Sequence, residues 1–131
     1  MRVVNYKELK NLIYFVPQQL DVSKQIAVLR HILEVLRSGS KVLSDSQREY
    51  HNLYNSIKSE GVKEPIKFTE FSRDSIILVD GKHRCAISIE LQLDDIIIDF
   101  VDPLESIFSK NISSDVIKNI HKEIFHENCN N

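Results

Sequence analysis

Glycine occurs only three times in 131 residues, and proline only three times. Chain breakers this scarce exclude a long flexible linker or a low-complexity segment. Tryptophan is absent, and the two cysteines are Cys85 and Cys129. They form neither a zinc-ligand spacing nor a disulfide framework. Reduced thiols in a cytoplasmic protein are the expectation. No apolar run approaches the roughly 20 residues that a membrane-spanning helix needs. The opening, MRVVNYKELKNLI, lacks an apolar signal core and a small-residue cleavage site, so no secretory leader is expected. Neither sign of charge dominates: 17 Lys and Arg stand against 19 Asp and Glu, for a net charge of −2. Non-specific binding to duplex DNA calls for a basic surface, so charge does not favour DNA as a partner.

What is present suits one compact domain over residues 1–131: 42% hydrophobic and 27% charged residues are enough for a core without staples. No internal repeat occurs at solenoid spacing. Leu9, Leu12 and Ile13 share one helical face over 6–14, with Asn5 as the cap. Pro17 interrupts the pattern. A longer helix is predicted over 22–37, where Ile26, Leu29, Ile32, Leu33 and Leu36 recur, with Gly39 just past its end. Its stripe is too wide to stay solvated, so it should pack on the sheet or on a second subunit.

The next stretch is SDSQREYHNLYNSIKSEGVKEPIKF. Ser46 and Glu49 have capping-box spacing. Tyr50, Leu53, Tyr54 and Ile57 form a narrow apolar seam, and Gly61 stands where a positive φ ends the helix. Pro65 can open a strand. Ile66 and Phe68 alternate with Lys67 and Thr69, and Ile76–Val79 is a short apolar run, so the two should pair as a hairpin. Ala86, Ile87, Ile89 and Leu91 suit a short buried helix. DDIIIDFVD reads as another strand, closed by Asp102-Pro103. Val116, Ile117, Ile120 and Ile124 mark a last amphipathic helix, capped by Ser113 or Ser114. The resulting order, α-α-α-β-β-α-β-α, is that of an α+β fold with a small mixed sheet and surrounding helices.

The hairpin runs into Asp80-Gly81-Lys82-His83-Arg84 at a strand-to-helix junction. A helix start presents unpaired backbone N–H groups and the positive end of the dipole. Gly81 lets the chain turn sharply and lets an anion approach. Lys82 adds a point charge, Arg84 a planar fork matched to phosphate oxygens, and His83 a ring donor. Asp80 has three available roles: holding a ribose hydroxyl, orienting Arg84, or meeting a magnesium ion. The plain alternative is a tight turn with exposed charges and Asp80 as the helix cap. Spacing alone does not choose between them.

LYNSIKSEGVKEPIKF followed by IILVDGKHRCAISIELQLDDIIIDFV resembles the ParB/sulfiredoxin superfamily. Its signature is a helix ending SI-x-x-x-G, an x-P-I-x-V strand, and a D/G-G-x-x-R-x-x-A junction. The likeness covers Ser44–Asp102. It implies a core over 44–102, an N-terminal helical extension over 1–43, and a C-terminal helix and tail over 103–131. It also implies that Gly81, Lys82, His83 and Arg84 bind nucleotide phosphates, with Mg2+ accompanying ATP, ADP or CTP. The D-G-x-H-R form is closer to ADP-dependent free-serine kinases and related bacterial proteins than to the G-E-R-R form of partition proteins. Phosphoryl transfer or nucleotide hydrolysis would follow, with Asp80 and Glu49 as catalytic candidates and Glu60 and Glu64 as further carboxylates in range. The other outcome is a non-catalytic module that uses the fold to bind a protein or DNA, or a second copy through the N-terminal helices.

The departures are specific. Sulfiredoxins place their catalytic cysteine directly before His-Arg, where this chain has Lys82, so reductase chemistry is not expected. Cys85 reads as a small buried residue. Partition proteins continue into a helix-turn-helix domain, whereas about 30 residues follow the last strand here. No metal site is expected: His121 and His126 are five apart, off the spacing of a helical metal pair. His31 and Arg48 read as solvated side chains, and Tyr50 and Tyr54 as core rather than as a stacking platform. Cys129 sits in a polar tail expected to fray.

Overall fold

The structure of the protein, a computed structural model, describes residues 1–13, 19–39, 42–72 and 75–101. The predicted break at Pro17, the close at Asp102-Pro103 and the last helix lie outside these residues, as do His121, His126 and Cys129. The elements in chain order are β1 (Arg2–Val4), α1 (Tyr6–Ile13), α2 (Gln19–Arg37), α3 (Asp45–Glu60), β2 (Ile66–Ser72), β3 (Ser75–Asp80), α4 (Lys82–Glu90) and β4 (Ile96–Val101). The class is α+β, as the patterning predicts, with one four-stranded mixed sheet in the order β1-β4-β2-β3.

The caps explain where the helices start. The Asn5 Oδ1 accepts from the Glu8 N–H at 2.9 Å, and Glu8 Oε1 accepts from the Asn5 N–H at 3.2 Å. Helix α3 starts two residues earlier than the Ser46–Glu49 box predicts. Ser44 is the cap and Gln47 its reciprocal partner. The earlier start places Asp45 in the first turn, where a carboxylate meets the positive end of the dipole. Gly61 ends α3 at φ +78°, its N–H donating to the Ile57 carbonyl at 2.8 Å.

The predicted hairpin is present: β2 and β3 pair antiparallel, with Phe68 opposite Leu78 and Thr69 opposite Ile77. Lys67 pairs with Asp80 while Phe68 pairs with Leu78, so Val79 is an extra, bulged residue. A bulge bends its strand and sharpens the twist. This one sits just before the Asp80-Gly81 junction and aims the chain out of the sheet. Strand β4 pairs parallel with β2, and β1 pairs antiparallel with β4 through Arg2–Ile98, Val3–Ile97 and Val4–Ile96. The sequence reading missed β1, because three residues are too short to show a period of two.

Helix α4 lies at the centre. It packs against α1, α2, α3 and β2, and every residue from Cys85 to Ile89 is buried. A helix covered on all sides has no polar face, which is why its sequence shows no amphipathic stripe. Just past its C-cap Leu91 stands Gln92, whose φ of +53° would suit glycine. The wide stripe of α2 faces other helices more than the sheet. It packs on α4 and α3, with Val22, Leu29 and Ile32 fully buried. Covering each such side chain stabilises the fold by about 1.5–3 kcal/mol. One cluster runs from Val4, Leu9 and Leu29 to Phe68, Ile87 and Ile98, so residues before position 43 share their core with those after it. Among the described residues no helix is long and apolar enough to cross a membrane.

Candidate functional site

The strand-to-helix junction opens into a shallow pocket of about 400 Å³, lined by Leu53 of α3 and by Val79–Arg84. Helix α4 begins at Lys82, as predicted, with Gly81 as its cap at φ +101° and ψ +33°. A Cβ on Gly81 would lie 3.1 Å from Nε and Nη2 of Arg84 and 3.4 Å from the Ile66 Cα. Glycine is therefore required twice here: for the left-handed backbone and for the guanidinium packed against it.

No side chain caps α4, and no acidic residue stands in its first turn. The Asp80 carboxylate, the cap in the plain alternative, turns instead to Arg84 Nη2 at 3.3 Å, the orienting role. The first turn consists of Lys82, His83 and Arg84. Basic residues there oppose the dipole, a cost of about 0.3–1 kcal/mol each at exposed sites. Carboxylates from other elements offset that cost. Lys82 Nζ donates to Asp21 of α2 at 3.1 Å. Arg84 Nη1 donates to Glu64, in the connection between α3 and β2, at 2.8 Å. The Arg84 side chain is only 15% exposed, and its buried Nε has no hydrogen-bond partner among the described residues.

His83 lies on the rim. Its ring stacks on Tyr50 with centroids 4.3 Å apart and an angle of 20°. Burial lowers the imidazole pKa from its usual value, and the neighbouring Lys82 charge adds to the shift. Tyr50 thus belongs to the core, as expected, and also provides a stacking surface, which was not expected. Burial raises its phenol well above the ordinary range, and the hydroxyl donates to the Gln25 carbonyl at 3.1 Å. The Cys85 thiol is fully buried one residue past Arg84, where burial pushes its pKa up to about 12. It fills space and has little thiolate character.

The structure therefore brings together Asp80, Gly81, Lys82, His83 and Arg84. Of the candidate carboxylates, Glu64 joins them. Glu60 pairs with Lys63 at 2.7 Å, and Glu49 is exposed on α3 and lines neither this pocket nor its neighbour. His31 and Arg48 are exposed, as expected. A second cavity of about 240 Å³, between the end of α3 and the 61–64 connection, shares Leu53 and Arg84 with the first. Among the described residues no group of three or more His, Cys, Asp or Glu side chains is placed to hold a metal. Asp21 was not singled out in the sequence, because no local pattern links it to a lysine 61 residues away. Glu64 was a candidate by its proximity in sequence, 20 residues before the arginine it holds.

The described residues thus form a central buried helix, without a side-chain cap, whose basic N-terminus opens on a pocket. Comparison with protein-family models, with curated proteins and with solved structures finds no match for this chain.

Proposed function

We propose that this domain binds the phosphates of a nucleotide at Gly81–Arg84, with magnesium carried on the phosphates, in the manner of the ParB/sulfiredoxin superfamily that residues 44–102 resemble. The observation that carries this reading is the start of α4: a glycine cap at φ +101°, no acidic or capping side chain, and a basic first turn opening on a pocket of about 400 Å³. Three N–H groups of that turn have no acceptor within the helix. A phosphate would satisfy them, offset the opposed dipole and reach Lys82 and Arg84. The pocket volume lies in the range of small-ligand sites.

Asp80 is the carboxylate that lines the pocket. It fits a single ligand position on a magnesium ion whose other ligands are phosphate oxygens and water. Phosphoryl transfer or nucleotide hydrolysis is the chemistry such a site would support, since positioning and charge compensation do most of that work. A nucleotide ligand also suits the cytoplasmic location expected from the cysteines.

A second reading has an observation of its own. Lys82 and Arg84 are already paired with Asp21, Glu64 and Asp80, so the junction is a closed ion network that needs no ligand. On that reading the domain is a non-catalytic module binding a protein or DNA. Thermal shift and calorimetric titration with ATP, ADP and CTP plus magnesium separate the two. A nucleotide at 100 times its Kd should stabilise the fold by about 2.7 kcal/mol. Arg84→Ala should weaken binding by roughly 10- to 100-fold, the worth of its charge-assisted bonds. If wild type and Arg84→Ala bind every nucleotide equally poorly, the module reading replaces this one.

A further inference from the structure

The two halves of the Arg84–Glu64 pair differ in freedom. The Arg84 side chain is 15% exposed, and its guanidinium lies against the backbone of Gly81. The Glu64 side chain is 81% exposed and sits in the short connection after Gly61. Among the described residues its carboxylate has no hydrogen-bond partner except Arg84. A carboxylate and a phosphate present the same pair of oxygens to a guanidinium fork.

We infer that Glu64 is an internal stand-in for the ligand's phosphate, and so a specificity-determining residue: its carboxylate holds Nη1 of Arg84 until a phosphate oxygen displaces it. The inference rests on the phosphate-binding reading above. At rest the junction holds two cations, Lys82 and Arg84, and three carboxylates, Asp21, Glu64 and Asp80, for a local charge of −1. An incoming anion therefore meets net repulsion until Glu64 swings away. Orthophosphate gains few contacts in return. A polyphosphate reaches Arg84, Lys82 and the free N–H groups of α4 together, so it alone compensates for the displaced pair. Glu64 thereby selects polyphosphates over small anions.

The test is calorimetric titration of wild type, Glu64→Gln and Glu60→Gln with inorganic tripolyphosphate and with orthophosphate, without magnesium. Glu60 pairs with Lys63, lines neither cavity, and serves as the control. Glu64→Gln should bind tripolyphosphate about fivefold tighter than wild type, the upper end for an exposed ion pair. Orthophosphate should gain more than tripolyphosphate, so that the preference between the two narrows, and Glu60→Gln should match wild type. An equal gain for both would show that Glu64 does not select among anions and would overturn the inference. Binding seen in Glu64→Gln alone also supports the inference. If wild type binds tripolyphosphate and Glu64→Gln binds it no tighter, the inference falls and the phosphate site stands. If neither protein binds it, the phosphate site falls and the inference with it.

Discussion

Gly81 carries two constraints that one side chain would violate together. At φ +101° a β-branched residue is strained, and its Cβ would press on Nε and Nη2 of Arg84 at 3.1 Å. The Ile66 Cα, at 3.4 Å, would be in ordinary van der Waals contact. Gly81→Val should therefore lower stability by about 2–3 kcal/mol in chemical denaturation. It should also push the Arg84 guanidinium off its seat, so ligand affinity should fall with it. A Gly81→Val protein as stable as wild type would show that the junction relaxes freely.

At the scale of elements, α3 and α4 are joined by the Tyr50–His83 stack. His83 has a lowered pKa in the folded protein, so the unfolded chain takes up the proton first as the pH falls. The neutral ring's contribution is complete above the ordinary histidine value of about 6.5 and is lost as the pH drops below it. A protonated ring would also stand beside Lys82 at the positive end of a helix. Wild type should therefore lose more thermal stability between pH 7 and pH 5 than His83→Gln does. Because the imidazole is exposed at the rim, the difference in Tm should be only about 1–2 °C. Equal pH profiles for the two proteins would remove the stack from the account.

The described residues share one core, and α2 and β1 belong to it. Leu29 is fully buried where α2 meets α4, and cutting it to alanine should cost about 2.7–5 kcal/mol, measured by urea unfolding. That is a large part of the 5–15 kcal/mol typical of a domain. Deleting residues 1–40 removes β1 from the edge of β4 and uncovers one side of α4. The truncated protein should aggregate or melt without cooperativity. A soluble, sharply melting truncation would mean that residues 41–131 fold without the first 40.

Local pattern determined most of the elements: the Asn5 cap, the apolar stripe of α2, the hairpin of β2 and β3, and the start of α4 after Gly81. Each depends on neighbours a few residues apart, and such interactions are visible in a single sequence. The α3 cap was displaced because Ser44–Gln47 and Ser46–Glu49 both satisfy the spacing, and only the first also puts Asp45 in the opening turn. Strand β1 exists only because the β4 edge accepts it. The candidate site was legible as a basic junction, but its electrostatics were not. Asp21 and Glu64 reach Lys82 and Arg84 across 61 and 20 residues. Pairing over such distances follows from how α2 and the 61–65 connection pack around α4, so only the tertiary structure could decide that the cations of the junction are already held.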